Sequence, residues 1–146
     1  MTEAATKANS ISKGVLFACN MNSIRSPMAE ALARHILRSS RLVVASAGVY
    51  QGGLDPFVEA ILAEVNIPMT EHEPQEFSAI DPLDYDLVVA LTPQAAEEAF
   101  KYFPQDQIEL WETPNPTDVR GSRDQIMQAY REARDSLKKR ISARFC

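Results

Sequence analysis

The chain has 146 residues, of which 45% are hydrophobic and 24% charged, and its formal net charge is −5. That length and balance describe one soluble domain with a real hydrophobic core and no need of disulfide staples. A negative chain with no basic patch interleaved with aromatics excludes nucleic acid as a partner, and the lack of any apolar run of about eighteen residues excludes a membrane-spanning helix.

Residues 1–12 are polar, lack the apolar stretch of a secretory signal, and are expected to form a flexible tail ahead of a domain spanning 13–146. Val15 to Ala18 reads as a short buried strand that stops at Cys19. A loop from Asn20 to Ile24 follows, polar at Asn20, Asn22 and Ser23, and leads to Arg25, Ser26 and Pro27. Met28, Leu32 and Ile36, with Ala29, Ala33 and Leu37 beside them, give the next segment one apolar helical face. Pro27 suits its first turn, where a missing N–H is harmless.

Leu42 to Ala45 is a second strand, with Ser46, Ala47 and Gly48 at its end. The spacing of the two strands suits a right-handed βαβ unit. Asp55-Pro56 caps a helix that turns Phe57, Val58, Ile61, Leu62 and Val65 inward and ends at Asn66 and Pro68. Residues 69–85 are acidic and irregular. Leu87 to Leu91 is a third strand, and Thr92-Pro93 caps a helix with Ala95, Ala96, Ala99, Phe100 and Phe103 on its apolar face. Ile108 to Trp111 is a fourth strand. After the loop TPNPTDVRG, a Ser122/Gln125 capping box starts a last helix with Ile126, Tyr130, Ala133, Leu137 and Ile141 as its stripe.

Strands and helices alternate, and the first three strands are almost wholly apolar, as strands covered on both faces are. The expected fold is therefore α/β: a three-layer sandwich around a doubly wound parallel sheet of about four strands. Ligands of such sheets sit beyond the C-terminal strand edge, where Cys19, Ser46, Thr92 and the loop after Trp111 all fall.

A strand-loop-helix joint aims backbone N–H groups and a helix dipole at one point, which suits a tetrahedral oxyanion. Cys19 opens that cradle and Arg25 closes it. The surroundings favour an anionic, nucleophilic sulfur, and a guanidinium pairs two phosphate oxygens at once. A lone cysteine at a strand end is more often a small core residue, but the flanking strand, the polar loop and the Ser-Pro helix start favour a phosphate-binding loop of residues Asn20, Met21, Asn22, Ser23, Ile24, Arg25 and Ser26.

The only other cysteine is Cys146, the last residue, and it does not stand where a prenylation signal needs it. His35 and His72 are too scattered for a zinc site, so neither metal nor cofactor is expected, and a reducing, cytoplasmic setting fits. From Arg120 to Cys146 eight basic residues accompany three acidic ones. That stretch reads as a solvated helix face or as a docking surface for an acidic partner.

CNMNSIRSPMAEAL resembles the phosphate-binding loop of the low molecular weight protein tyrosine phosphatases and of the related thioredoxin-linked arsenate reductases. The resemblance extends in motif order over roughly residues 13–143 and implies that family's flavodoxin-like fold. It implies Cys19 as a nucleophile that forms a phosphocysteine, Arg25 as the ligand of phosphate and of the transition state, and Ser26 as a hydrogen-bond donor to the thiolate. Asn22 would hold the strained loop through a network reaching Ser46 and His72. For those two residues the plainer readings are a strand-end cap and a surface histidine in an acidic loop.

Four features depart from the family pattern. Asn115 stands before Pro116 where the family has the aspartate that serves as general acid, and Asp118 replaces it if the loop curls back. Such proton transfer is typically worth about 10² to 10⁴ in rate. Ile24 precedes Arg25 where many members have a cysteine that protects the nucleophile. No cysteine between Cys19 and Cys146 offers an internal disulfide relay. The aromatic substrate wall is thin, with Tyr50 on one side and Thr117-Asp118 on the other.

The expected activity is cysteine-dependent hydrolysis of a phosphorylated protein or small phosphomonoester, of the protein tyrosine phosphatase type and weakened by Asn115. The alternatives are an oxyanion-binding pseudophosphatase and an arsenate reductase that draws on an external thiol.

Overall fold

All six residues of β1, Gly14–Cys19, are buried, as a strand in the middle of a sheet covered on both faces must be. Its side chains alternate between two cores. Val15, Phe17 and Cys19 join Met28, Leu32, Ile61, Tyr130 and Leu137 on one face. Leu16 and Ala18 join Phe77, Ala95, Ala99 and Phe103 on the other.

The computed structural model describes residues 11–69 and 72–146. β2 (Val43–Gly48), β3 (Leu87–Ala90) and β4 (Ile108–Leu110) complete a parallel sheet of order β2-β1-β3-β4. The helices are α1 (Arg25–Ile36), α2 (Pro56–Ala63), α3 (Pro93–Ala99) and α4 (Arg123–Phe145). α1, α2 and α4 cover the first face, and α3 with a short 3₁₀ turn at Phe77–Ala79 covers the second. This is the expected three-layer α/β sandwich. The chain steps from β1 out to β2, then back across β1 to β3, so the C-terminal end of β1 is the switch point where such sheets bind ligands. Cys19 is the residue there.

Local chemistry sets most boundaries. Asp55 and Thr92 cap α2 and α3 by accepting the N–H groups of Phe57 at 2.8 Å and Ala95 at 3.0 Å, each ahead of a first-turn proline. The capping box of Ser122 and Gln125 opens α4. β2 runs through Ser46, Ala47 and Gly48 rather than stopping at Ala45, because these residues pair with Phe17, Ala18 and Cys19. α3 ends at Ala99, so Phe100, expected on its apolar face, is 51% exposed, while Phe103 reaches the core from the turn that follows.

The exposed edge of β2 is covered from within the chain. Arg34 donates twice to Val44 O, at 3.1 and 2.9 Å, Gln75 Nε2 donates to Ser46 O at 2.9 Å, and Gly48 N–H donates to Gln75 O at 2.8 Å. Residues 1–10 of the expected tail lie outside the described residues. Ile11 already packs on the core, and Ser12 N–H donates to Asp86 Oδ2 at 2.8 Å. Among the described residues no helix is long and apolar enough to cross a membrane.

Candidate active site

The loop between β1 and α1 is held open by bonds on its outer side. The carbonyls of Cys19, Asn20, Met21 and Ser23 accept the N–H groups of Val49, Tyr50, Gly52 and Asp55 at 2.7 to 3.1 Å. No acceptor among the described residues takes the N–H groups of Met21, Asn22, Ser23 or Ile24. α1 starts at Arg25 with Ile24 in the cap position and no side-chain cap, so its first amides are also unclaimed. Carbonyls bound outside and amides free inside make a cradle for an oxyanion. Gly48 is required beneath it, since a Cβ there would stand 2.7 Å from Asn22 N and collide with Tyr50 O.

Cys19 is buried at the base of this cradle, 2.9 Å from Ser26 Oγ. Asn22 is fully buried in the left-handed region, φ 53°, which asparagine tolerates better than most residues. Its Oδ1 accepts Gln75 N–H at 2.9 Å, which fixes the amide's orientation. Its Nδ2 donates to Ser26 Oγ and Ser46 Oγ, each at 2.9 Å. Both hydroxyl protons must then point away from Asn22. That of Ser46 goes to Glu30 Oε1 at 2.6 Å. That of Ser26 goes to the Cys19 sulfur in preference to Ala47 O, which is 3.5 Å away. Ser26 thus donates to Cys19, an arrangement that suits an anionic sulfur.

The network continues further than the sequence motifs indicate. Glu30 is buried, pairs with Arg34 at 3.1 Å and lies 3.5 Å from His72 Nδ1. His72 is therefore buried beside a carboxylate and is not a surface histidine, and its Nε2 has no hydrogen-bond partner among the described residues. Glu30 and Gln75 were not singled out from sequence. For Glu30 a signal existed: it follows Ser26 by one helical turn, an acidic residue on an otherwise apolar face. Gln75 acts chiefly through its backbone, which residue identity does not reveal. A hollow of about 770 Å³ lies behind this network, lined by Glu30, Arg34, His72, Glu73 and Gln75. It is larger than the space at Arg25, so size alone would misplace the site.

On the other flank, Thr92 accepts Ala95 N–H as a helix cap and donates to Asn20 Oδ1 at 2.7 Å. Arg25 Nη1 donates to Thr113 O at 3.0 Å, tying the loop to the segment after β4. That segment does curl back: Pro116–Asp118 is a 3₁₀ turn capped by Asn115, whose Oδ1 accepts from Thr117 N–H at 3.1 Å and Thr117 Oγ1 at 2.9 Å. With the oxygen so engaged, the Asn115 amide has only its NH₂ to offer a ligand. Arg25, Thr92, Glu112, Asn115 and Asp118 line a cleft of about 430 Å³. Tyr50 and Met21 stand exposed in the segments around the loop. Among the described residues no three His, Cys, Asp or Glu side chains group as a metal site.

Residues 14–145 match the family model described as low molecular weight phosphotyrosine protein phosphatase. The chain belongs to that family. An arsenate reductase of Bacillus licheniformis is 31% identical over 132 residues, covering 88% of this chain and 92% of that protein. A YwlE mutant from Bacillus subtilis superposes with a TM-score of 0.73 at 27% identity, covering 89% of this chain and 94% of that one. A structure titled as an arsenate reductase in the phosphate-binding state gives a TM-score of 0.73 at 26% identity, covering 90% and 95%. Two of these three relatives are named as arsenate reductases, within a family named for phosphatases.

Cys146 is exposed at the C-terminal end of α4, a helix of 23 residues that begins just after the Asn115 turn. At 1.5 Å per residue it stands roughly 35 Å along that helix from the turn. Three of the basic residues of α4 are engaged within the fold, Arg131 and Arg134 with Glu64 and Arg144 with Glu109.

Proposed function

We propose that the chain is a cysteine-dependent phosphohydrolase of the protein tyrosine phosphatase type, with Cys19 as the nucleophile. The observation that carries this reading is the Ser26 hydroxyl directed at the Cys19 sulfur by a pinned asparagine, beneath unclaimed loop amides. The thiolate attacks phosphorus, the loop amides and Arg25 hold the equatorial oxygens, and Ser26 steadies the sulfur when water later releases it from the phosphocysteine. Asn22, Ser46 and His72 support the loop, and Tyr50 is the aromatic side of the entrance. Asn115 offers a hydrogen bond but no proton to a leaving group. Asp118, carried to the same cleft by the turn, is the carboxylate available for proton transfer. The substrate is a phosphorylated protein or a small phosphomonoester.

The test is steady-state hydrolysis of p-nitrophenyl phosphate by the wild-type chain and by Cys19→Ser. Turnover that vanishes with Cys19 supports the reading, and turnover that survives the substitution ends it.

A second reading, arsenate reduction with an external thiol, is favoured by the name of the 31% identical relative and by a site where arsenate would occupy the phosphate position. No cysteine lies between Cys19 and Cys146 to carry an internal relay, so this reading requires glutathione, mycothiol or thioredoxin as reductant. Arsenate-dependent thiol oxidation with none of these removes it. Binding of phosphate without turnover of any ester would instead mark an oxyanion-binding module.

A further inference from the structure

The cradle amides point inward because the carbonyls of the same peptide units are held outward. A peptide unit is planar and trans, so its C=O and N–H face opposite ways. Fixing the Ser23 carbonyl therefore aims the Ile24 N–H, the amide next to Arg25. The donor that fixes it is the backbone N–H of Asp55, at 3.0 Å. Val49, Tyr50 and Gly52 hold the other three carbonyls from the segment that leaves β2. Asp55 stands at the far end of that segment, and its place depends on what holds its side chain.

Both oxygens of the Asp55 carboxylate are engaged. Oδ1 accepts the Phe57 N–H at 2.8 Å, which caps α2, and Oδ2 accepts the Tyr130 hydroxyl at 2.8 Å. Tyr130 is 1% exposed and belongs to the core that α4 shares with α1 and α2. Its ring meets that of Phe57 edge-on, with centroids 5.5 Å apart. The phenol is thus a fixed point, and Asp55 is the loop residue tied to it. Burial and the Asp55 carboxylate hold the Tyr130 proton well above the usual phenol range, so the hydroxyl remains a donor at neutral pH. Packing alone would be served by phenylalanine; the hydroxyl serves Asp55.

We propose that Tyr130 is a positioning residue for the oxyanion cradle, acting through Asp55 and Ser23 on the Ile24 N–H. The inference rests on the phosphohydrolase reading of Cys19 and Arg25. Without the hydroxyl, Asp55 keeps its bond to Phe57 but loses its tie to the core, and the Ser23 carbonyl is free to turn with it. The Ile24 N–H then meets a phosphoryl oxygen off line, and hydrogen bonds weaken steeply as they bend. That amide binds the phosphoryl group in the bound ester, in the transition state and in free phosphate alike. Such uniform binding sets KM and phosphate affinity and leaves kcat nearly unchanged. Loss of the Ser26 donor to sulfur acts the other way, on kcat.

The experiment uses Tyr130→Phe, Asp55→Ser and the double variant. Tyr130→Phe removes one oxygen and keeps the ring. Asp55→Ser keeps a good cap for α2 but is too short to reach the phenol. Calorimetry reads the Kd for inorganic phosphate, and steady-state hydrolysis of p-nitrophenyl phosphate reads KM and kcat. Each single variant is expected to raise Kd and KM about five-fold, the partial loss of one charge-assisted hydrogen bond, with kcat within about two-fold of wild type. The double variant should match the weaker-binding single, because the two residues act as one unit. Unchanged Kd and KM in Tyr130→Phe, with only a lower urea midpoint, mark a structural contact and overturn the inference. A fall in kcat at unchanged Kd, or effects that multiply in the double variant, overturn it too. A wild-type chain that binds phosphate but hydrolyses no ester contradicts the hydrolase reading, and the brace then stands or falls on Kd. A wild-type chain that binds no phosphate contradicts both.

Discussion

The backbone N–H of Gln75 donates to Asn22 Oδ1 over 2.9 Å, and this one bond decides the direction of the Ser26 and Ser46 hydroxyls that link Cys19 to Glu30. With the Asn22 oxygen taken, its NH₂ must donate to Ser26 and Ser46, and those serines must donate onward to Cys19 and Glu30. Asn22→Ala leaves two buried hydroxyls and the part-buried Gln75 N–H without their partner and sets an alanine at a positive φ. Unfolding in urea should show a loss of about 3 kcal/mol. Asn22→Gly relieves the backbone but not the bonds, and should recover about 1 kcal/mol of that loss.

Ser26→Ala removes the donor to sulfur and keeps the Asn22 amide where Gln75 holds it. A hydrogen bond to a charged group is worth about 1.5 to 3 kcal/mol. Steady-state assays on p-nitrophenyl phosphate should therefore show kcat reduced roughly ten- to a hundred-fold, with KM little changed because the loop amides are intact.

Asn115→Asp restores an acid to the position that caps the Pro116–Asp118 turn. Aspartate caps as well as asparagine, so the turn should persist. Turnover of phenyl phosphate, whose leaving group is strongly basic, should rise by about 10² or more, and that of p-nitrophenyl phosphate by less. An equal and small effect on both esters would mean that Asp118 already supplies the proton.

Asp86 ties the entry of β1 to β3. Its partial burial raises its proton affinity, but N–H groups of Ser12, Gly14 and Lys13 outweigh that, and its carboxyl titrates below the usual aspartate range. Because the folded value is the lower one, the stabilisation is fully present above the unfolded value near about 4 and is lost as pH falls through the folded value. Asp86→Asn should cost about 1 kcal/mol at pH 7, discounted for exposure, or about 3 °C in Tm. The difference from wild type should shrink below about pH 4. Thermal unfolding at neutral and acidic pH measures both.

Much of this molecule is legible in the residues. The apolar runs at Val15 and Leu87, the Asp55-Pro56 and Thr92-Pro93 caps and the Ser122 capping box act locally, and local chemistry is what sequence records. The parallel topology follows from the alternation of strand and helix. What escaped depends on pairing at a distance. The extension of β2 to Gly48 is set by its register against Cys19, and Phe100 is exposed because α3 stops at Ala99. The loop around Cys19 declared itself through residue types, whereas Gln75 acts through its backbone. Glu30 matters for what surrounds it, and a single chain of letters does not place its neighbours.

The central claim is that phosphorus passes through the Cys19 sulfur. The most direct measurement mixes the protein with p-nitrophenyl phosphate, quenches in acid within one turnover, and maps the intact mass and peptides. The account predicts one phosphoryl group on the peptide containing Cys19, and neither adduct nor turnover in Cys19→Ser. Release of p-nitrophenolate with Cys19 unmodified, and at the same rate in Cys19→Ser, would contradict it.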